Sequence, residues 1–251
     1  MLITQSTRST RFLAICVAVT SISSYADTTI NFSDANLLTT DYEVKVFNNL
    51  PATDSYVIAT KPSGGNPDFW LSIDATMSAN SDPNALLAAG FINNSWKYNP
   101  QTQGLISKIE FSMDRYISTI TEDASENAIL LVRQDDVYFF QTLQGTPTAA
   151  VWITISAQTV PLVQDWRSFN FTSGLITGGV HPNFTSNGSQ LEFGVALSAQ
   201  PNNRLISGSL GADNIRISIS AVPEPGTFIL CILGVVAIVP LTKSSRSSEL
   251  S

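Results

Sequence analysis

The chain has 251 residues, with 13 lysines and arginines against 20 aspartates and glutamates, and a formal net charge of −7 at pH 7. Its basic residues form no stripe or block, which argues against a nucleic-acid partner. The two cysteines, Cys16 and Cys231, lie at opposite ends of the chain, so neither a disulfide framework nor a cysteine zinc site is expected. The length between them is enough for one domain with a substantial core.

Residues 1–26 predict a secretory signal peptide. Arg8 and Arg11 provide a positive region, residues 12–19 form a short apolar run, and Ser24 and Ala26 supply small residues at a cleavage site. The alternative is a first transmembrane helix, but the run is too short to cross about 30 Å of hydrocarbon. We therefore expect cleavage after Ala26 and export of the rest.

Residues 27–221 predict one all-β domain, an antiparallel β-sandwich or jelly roll. Apolar residues alternate with polar or small ones at 109–113, 191–197 and 215–219, as in strands with one packed and one wet face. Further strand candidates are 42–47, 56–59, 69–76, 128–132, 137–141, 151–156 and 169–172, separated by turns rich in Pro, Gly and Asn. A short helix over 84–89 is the one helical alternative.

Few residues suggest catalysis. The single histidine, His181, falls in a predicted surface loop, and the sequence has no Gly-x-Ser-x-Gly motif. A glycoside hydrolase would need two acids across a cleft, and the available ones are Glu110, Glu122-Asp123 and Asp135-Asp136. Asp135-Asp136 is better interpreted as the tip of a hairpin. We expect no enzymatic activity.

Aromatic residues suggest a binding surface instead. Trp96 and Tyr98 are two residues apart, so in an extended segment they share a face beside a polar loop, and they are the candidate glycan contacts. The alternative is that these rings fill the core, as aromatics in a sandwich commonly do. Trp152 and Trp166 lie in apolar strands and are expected in the core.

Residues 222–251 predict a sorting or anchoring signal. The string Val222, Pro223, Glu224, Pro225 precedes an apolar run, 227–241, about 22 Å long as a helix at ~1.5 Å per residue. Lys243 and Arg246 follow as a basic stop-transfer cluster, which stays on the cytoplasmic side.

This order of motif, helix and basic tail resembles the PEP-CTERM sorting signal. The resemblance implies an exosortase-type processing enzyme as partner, transient membrane anchoring, and a final place at the cell surface or in the extracellular matrix. A single-pass anchor that is never cut is the alternative.

A second, looser resemblance lies in the last third of the domain. Asp165-Trp166, Phe193-Gly194-Val195 and Gly211-Ala212-Asp213-Asn214-Ile215 are similar to the closing section of lectin-like and carbohydrate-binding-module jelly rolls. The resemblance implies a structural calcium ion, with Asp213 as a ligand and Asp34 or Asp41 near it. The alternative is that Asp213-Asn214 forms a turn that caps its own backbone.

These observations predict an exported, non-enzymatic protein with a structural or adhesive role in association with exopolysaccharide. A carbohydrate-binding-module-like protein with a structural calcium is the second hypothesis. A glycoside-hydrolase-like enzyme is the third.

Overall fold

The computed structural model describes residues 27–34, 36–66, 68–78, 82, 84–118, 125–141, 149–159, 165–201 and 205–222. The elements within these ranges include strands, the 3-10 turn Thr39–Asp41 and a short helix, α1 (Pro100–Gln103). The strands are β1 (Thr28–Asp34), β2 (Tyr42–Asn48), β3 (Ser55–Lys61), β4 (Trp70–Met77), β5 (Leu87–Tyr98), β6 (Leu105–Ile117), β7 (Ser125–Gln134), β8 (Val137–Gln141), β9 (Trp152–Thr159), β10 (Arg167–Phe169), β11 (Ile176–Thr177), β12 (Leu191–Gln200) and β13 (Ile206–Val222).

The strands form two antiparallel sheets. The seven-stranded sheet has the order β11-β10-β8-β7-β12-β5-β2, and the six-stranded sheet has the order β3-β4-β13-β6-β9 with β1 also paired to β13. Along one edge of β13, β4 pairs with residues 206–212 and β1 with residues 215–221. The prediction of an all-β, antiparallel fold is therefore confirmed.

The core lies between the inner faces of the two sheets. On β6, Phe111 and Met113 are at most 2% exposed, whereas Glu110 between the apolar positions is exposed. On β12, Phe193 and Val195 are fully buried and meet that layer from the opposite sheet. Each such side chain contributes about 1.5–3 kcal/mol on burial, and no cysteine occurs between Cys16 and Cys231 to add a cross-link.

The outer face of the seven-stranded sheet is partly covered, so the expectation of a wet outer face on β12 is wrong. A second apolar cluster lies there, made of Ile92, Leu131, Tyr138 and Ala196. Phe171, in the turn between β10 and β11, packs on this cluster. Gly90 makes the approach feasible, because a Cβ at that position would lie 2.6 Å from the Phe171 ring.

The same turn crosses the outer face towards β2. The rings of Phe47 and Phe169 meet edge to face with centroids 6.0 Å apart. Gly174 has a φ of +70° and lies against the Phe47 ring, so a side chain at this position would be strained and would clash. Residues 170–175 thus bound a cleft on this face.

The structure corrects one element and confirms another. Residues 87–89 belong to strand β5 and not to a helix, because Leu87 and Ala89 face the core while Ala88 and Gly90 are buried on the outer face. An apolar run buried on both sides shows no alternation, and its period is ambiguous in the sequence. Asp135 and Asp136 form the predicted hairpin tip, with φ values of 51° and 60° that suit a two-residue hairpin turn.

The predicted signals lie almost wholly outside the described residues. Val222 is the last residue of β13, and the predicted cleavage residue Ala26, the motif residues Pro223–Pro225 and the stop-transfer residues Lys243 and Arg246 fall beyond the described ranges. Among the described residues, no helix has the length and apolar character needed to cross a membrane.

Candidate functional site

A cleft of about 490 Å³ opens on the outer face of the seven-stranded sheet, a volume typical of ligand sites. We call it the charged cleft and define it by five of its lining residues: Glu43, Lys45, Arg133, Tyr138 and Phe171. The strand register brings the first four together, because Arg133 pairs with Tyr138 across β7 and β8, and Glu43 and Lys45 lie on the same face of β2.

A chain of ion pairs crosses the sheet at this point. The Nε of Arg133 donates to Oε2 of Glu192 at 2.5 Å, and its Nη1 donates to Oε2 of Glu43 at 2.6 Å. Lys97 pairs with the other oxygen of Glu192 at 3.1 Å, and Lys45 pairs with Glu43 at 3.0 Å. The chain of ion pairs therefore runs from Lys97 on β5 through Glu192 on β12 and Arg133 on β7 to Glu43 and Lys45 on β2.

The cleft has a buried floor and an exposed rim. The side chain of Arg133, which lines the cleft, is 15% exposed, and that of its partner Glu192, which does not line it, is 16% exposed; those of Glu43 and Lys45 are 37% and 46% exposed. The guanidinium of Arg133 also lies 5.9 Å from the centroid of the Tyr138 ring, within reach of a cation–π interaction. The floor is fixed by these contacts, and the rim groups remain open to a ligand.

Both carboxylates of the network are ionised at neutral pH. The hydrogen bond from Arg133 holds the pKa of Glu43 below its usual value, and the bond from Lys45 acts in the same direction. Burial alone would raise the pKa of Glu192, but the hydrogen bonds from Arg133 and Lys97 outweigh it and lower that pKa. The cleft therefore presents the Glu43 carboxylate as a hydrogen-bond acceptor beside the cationic donors Lys45 and Arg133.

The charged groups of this cleft can form hydrogen bonds with a polyhydroxylated ligand. Ionised carboxylates accept hydrogen bonds from hydroxyl groups, and ammonium groups donate them. Glycoside hydrolysis requires one carboxyl group with a raised pKa that can protonate the leaving oxygen. Neither Glu43 nor Glu192 meets that requirement, because both are held in the charged form.

The predicted glycan contacts, Trp96 and Tyr98, lie in the core, and this corrects the expectation of an exposed platform. Trp96 is 4% exposed and stacks on Phe32 with centroids 6.1 Å apart. Tyr98 is fully buried and donates its hydroxyl hydrogen bond to the carbonyl of Gly104 at 2.6 Å. Both residues do share one face, as predicted, but that face of β5 packs against the six-stranded sheet.

The predicted calcium ligand, Asp213, belongs to a buried polar cluster on the six-stranded sheet. It pairs directly with Asp114 across β13 and β6. Its carboxylate accepts from the backbone N–H of Asn66 and, at 2.6 Å, from that of Asn214. Asp114 accepts from the side chains of Asn66 at 3.1 Å, Asn214 at 2.7 Å and Thr154 at 2.5 Å. Burial raises the pKa of Asp213, while the two backbone hydrogen bonds oppose that rise.

As arranged, this cluster does not fit a calcium ion. Calcium takes six to eight oxygen ligands, whereas the oxygens of Asp114 and Asp213 here face N–H and O–H donors. No group of three or more acidic, histidine or cysteine side chains within the described ranges is placed to hold a metal. Asp34, expected near Asp213, lies opposite Ile215 on the neighbouring strand β1 and accepts a hydrogen bond from the Tyr42 hydroxyl at 2.9 Å. Calcium at Asp213 stays a prediction from the sequence.

Of the acids considered for hydrolysis, Glu110 and Asp135-Asp136, which the structure describes, do not come together as a pair. Glu110 lies on the outer face of the six-stranded sheet, and Asp135 lies at the hairpin tip of the seven-stranded sheet. Glu122-Asp123 lies outside the described residues. The Nδ1 of His181 lies 2.9 Å from the carbonyl oxygen of Trp166, in a loop and half-buried.

Sequence reasoning missed the charged cleft. Its residues come from strands far apart in the chain, and Glu192 and Arg133 are 59 residues apart yet in contact. In its local sequence, each of these residues looks like an ordinary charged residue at a solvent-facing position of an alternating strand. A signal did exist at Arg133, an arginine at an outward position directly before a tight hairpin, but its partners could only be found from the strand register.

The chain matches no protein-family model and none of the curated proteins compared with it. Among solved structures it is similar to the family 22 carbohydrate-binding module of Clostridium thermocellum Xyn10B, with a TM-score of 0.37, 11% identity, and coverage of 76% of this chain and 92% of that one. It is also similar to a carbohydrate-binding module described for specific mannan recognition, with a TM-score of 0.36, 11% identity, and coverage of 78% of this chain and 98% of that one. Winged bean acidic lectin is similar with a TM-score of 0.31, 9% identity, and coverage of 79% of this chain and 100% of that one. Likeness at this level carries no argument, so the site is argued from its own geometry.

Proposed function

We propose that this chain is an exported, non-catalytic protein of the cell surface or extracellular matrix that associates with exopolysaccharide through the charged cleft. The observation that carries the proposal is the position of Arg133, which lines an open cleft together with Glu43 and is held by hydrogen bonds to Glu43 and Glu192. Charged groups with shifted pKa values in a cleft mark a candidate ligand site. The rim groups Glu43 and Lys45 supply the acceptor and the donor that sugar hydroxyls need.

Export and sorting rest on the sequence signals at the two ends. The predicted signal peptide, cut after Ala26, takes the domain across the membrane, and residues 222–251 are proposed to engage an exosortase-type enzyme. Lys243 and Arg246 halt transfer until the tail is processed. Because β13 ends at Val222, directly before the motif residue Pro223, the domain would lie close to the membrane before release.

A purely structural role is the second candidate function. The ion-pair network also ties four strands of a sheet together, which favours a matrix component that binds no glycan at the cleft. The two functions differ in one respect, because only the first requires that substitutions at the rim weaken polysaccharide retention without loss of stability.

Affinity gel electrophoresis of the full chain in mild detergent tests the proposal. The gels contain the exopolysaccharide of the host organism, xylan, glucomannan or alginate. We expect retention by at least one polymer, weakened several-fold by Glu43→Gln and by Lys45→Ala. The control is Leu38→Ala, which truncates a side chain that is 46% exposed between β1 and β2 and lines neither this cleft nor the groove on the other sheet. Equal retention of all four proteins, or retention of none, would refute binding at the cleft.

A further inference from the structure

We infer that the six-stranded sheet carries a second polysaccharide site on its outer face, built on the rings of Tyr116 and Trp152. We call this pair the aromatic ledge. The inference rests on the proposed function for its ligand class, a chain of sugar rings. It adds that the domain can hold polymer on two opposite faces and so cross-link it.

The ledge is a pair of flat, half-exposed rings on neighbouring strands. Tyr116 on β6 and Trp152 on β9 are direct cross-strand partners. Their centroids are 5.2 Å apart and their planes are inclined by 36°, so the two rings pack partly against each other and form one apolar unit at the surface of the sheet. Both side chains retain contact with water, unlike Trp96 and Trp166 in the core. The expectation that Trp152 lies in the core is thus corrected.

A third ring supports the ledge from below. Trp70 is 5% exposed and meets Trp152 and Tyr116 edge to face, at centroid distances of 5.5 and 5.7 Å. Trp70 in turn lies flat against Gly211, where a Cβ would come within 2.0 Å of its ring. The ledge therefore has a rigid base.

Hydrogen bonds fix the orientation of the indoles. The Nε1 of Trp152 donates to the carbonyl of Gly64 at 3.2 Å, and that of Trp70 donates to the carbonyl of Ser63 at 3.0 Å. The loop that supplies these carbonyls is tied down by Asn66, whose backbone N–H bonds to Asp213. A ring already held in place loses little conformational entropy when a ligand stacks on it. This gives the buried Asp213 cluster a role: it anchors the loop that positions the ledge.

A polar groove lies further along the same strands. Beyond Tyr116 and Trp152, successive outward cross-strand pairs are Asp114 with Thr154 and Ser112 with Ser156. The groove of about 690 Å³ begins there and is lined by Asn31, Glu110, Ser112, Ser156, Arg216 and Ser218 among others. Tyr116 and Ser112 are four residues apart, which is about 13 Å along a strand. Flat rings followed by a row of hydroxyl, amide and charged groups suit an extended ligand with apolar ring faces and polar edges, as a polysaccharide has.

The two sites face away from each other. The charged cleft lies on the outer face of one sheet and the ledge on the outer face of the other, with the packed core between them. A polymer segment bound at one site leaves the other site free. Occupation of both sites by different polymer chains links those chains, and the linkage depends on both sites being intact.

The test compares retention with cross-linking for Trp152→Ala, Tyr116→Ala and the control Val151→Ala, which truncates a side chain that is 51% exposed beside Trp152. Retention is measured in gels of host exopolysaccharide, xylan, glucomannan or alginate, and cross-linking as turbidity of the same polymers in solution. We expect about tenfold weaker retention for Trp152→Ala and loss of turbidity for both ledge variants, with Val151→Ala unchanged.

Other outcomes separate this inference from the proposed function. If Glu43→Gln and Lys45→Ala weaken retention while both ledge variants match Val151→Ala in both assays, the cleft stands and the ledge is refuted. If the ledge variants lose retention and the cleft variants do not, the ledge stands and the cleft is refuted. A change in self-association without a change in retention would make the ledge a protein interface and would overturn the inference. The absence of retention by every polymer would also overturn it.

Misfolding is distinguished by a milder variant and a spectroscopic signal. Trp152→Phe keeps a flat ring and should recover most of the retention that Trp152→Ala loses. In the wild type, the indole N–H resonance of Trp152 should shift on titration with the retained polymer's oligosaccharides, while that of the buried Trp166 stays in place. A purely structural Trp152 would leave its resonance unmoved, and that result refutes the ledge.

Discussion

Replacement of Arg133 by methionine tests the energetics of the charged cleft. The substitution keeps the apolar stem but removes the cation that Glu43 and Glu192 share. Removing one partner of a buried ion pair costs about 3–5 kcal/mol, because a charge is left in a poor solvent. Glu192 is 16% exposed and retains its pair with Lys97, so we assign about 2–3 kcal/mol to the loss of the Arg133–Glu192 pair. Glu43 is 37% exposed, and its pair with Arg133 adds at most about 1 kcal/mol.

The difference in the free energy of unfolding between the wild type and Arg133→Met should depend on pH, and this provides an independent check. Because the folded-state pKa of Glu43 and of Glu192 is lowered, their contribution to stability is present above the usual glutamate pKa of 4.5 and is lost as the pH falls through the lower folded values. Without Arg133 this contribution is mostly absent. The stability gap between the wild type and Arg133→Met should therefore stay nearly constant from pH 7 to about 4.5 and narrow as the pH is lowered further.

Urea unfolding monitored by circular dichroism measures both effects. At pH 7 the free energy of unfolding should fall by about 2–4 kcal/mol in Arg133→Met. Adding Glu192→Gln should restore about 1–2 kcal/mol, since the stranded charge is then removed. A loss below about 0.5 kcal/mol, a gap that does not narrow on acidification, or no recovery in the double variant would each refute the reasoning.

Three further predictions concern other parts of the chain. Calcium at millimolar concentration should leave the thermal unfolding midpoint unchanged, because the Asp213 carboxylate already faces two N–H donors. A rise in the midpoint that is abolished by Asp213→Asn would instead support the calcium site predicted from the sequence. Trp96→Ala should destabilise the fold by about 3–5 kcal/mol yet leave polymer retention intact at a temperature where the variant is folded, since the ring lies in the core; selective loss of retention would contradict this. Intact mass of the exported protein should show a processed C-terminus in the wild type and an uncut one in Glu224→Ala, Pro225→Ala; uncut tails in both would mean that the motif is inert and the protein stays anchored.

The strands could be predicted from the sequence because most have one clear period. The alternation through Ile109, Phe111 and Met113 reflects a strand with one face in the core, and the structure has β6 at that place. The prediction failed for β5, where Ala88 and Gly90 are small enough to be covered by Phe171 on the second face. Phe171 is distant from β5 in the sequence, and because it covers the outer face, apolar or small residues occur on both faces of this strand. A contact of this kind cannot be inferred from the local sequence pattern.

The site was harder to predict than the fold because it depends on register. Trp96 and Tyr98 share a face, as their spacing requires, but the spacing does not say which face looks inward. The same ambiguity applies to Trp152, whose strand brings it beside Tyr116 on the outer face. Arg133 meets Glu192 only because β7 and β12 are neighbours in the sheet. Pairings between distant strands thus decide which rings and charges are available for binding.

The most direct test of binding at the charged cleft is an NMR titration of the Arg133 side chain. Its Nε–H signal should be resolved, because that group is hydrogen-bonded to Glu192 on the floor of the cleft. With oligosaccharides from whichever polymer the gels retain, we predict a saturable shift of this signal in the wild type and a much weaker response in Glu43→Gln. A signal that stays in place while the protein is saturated with oligosaccharide would contradict the cleft as the binding site.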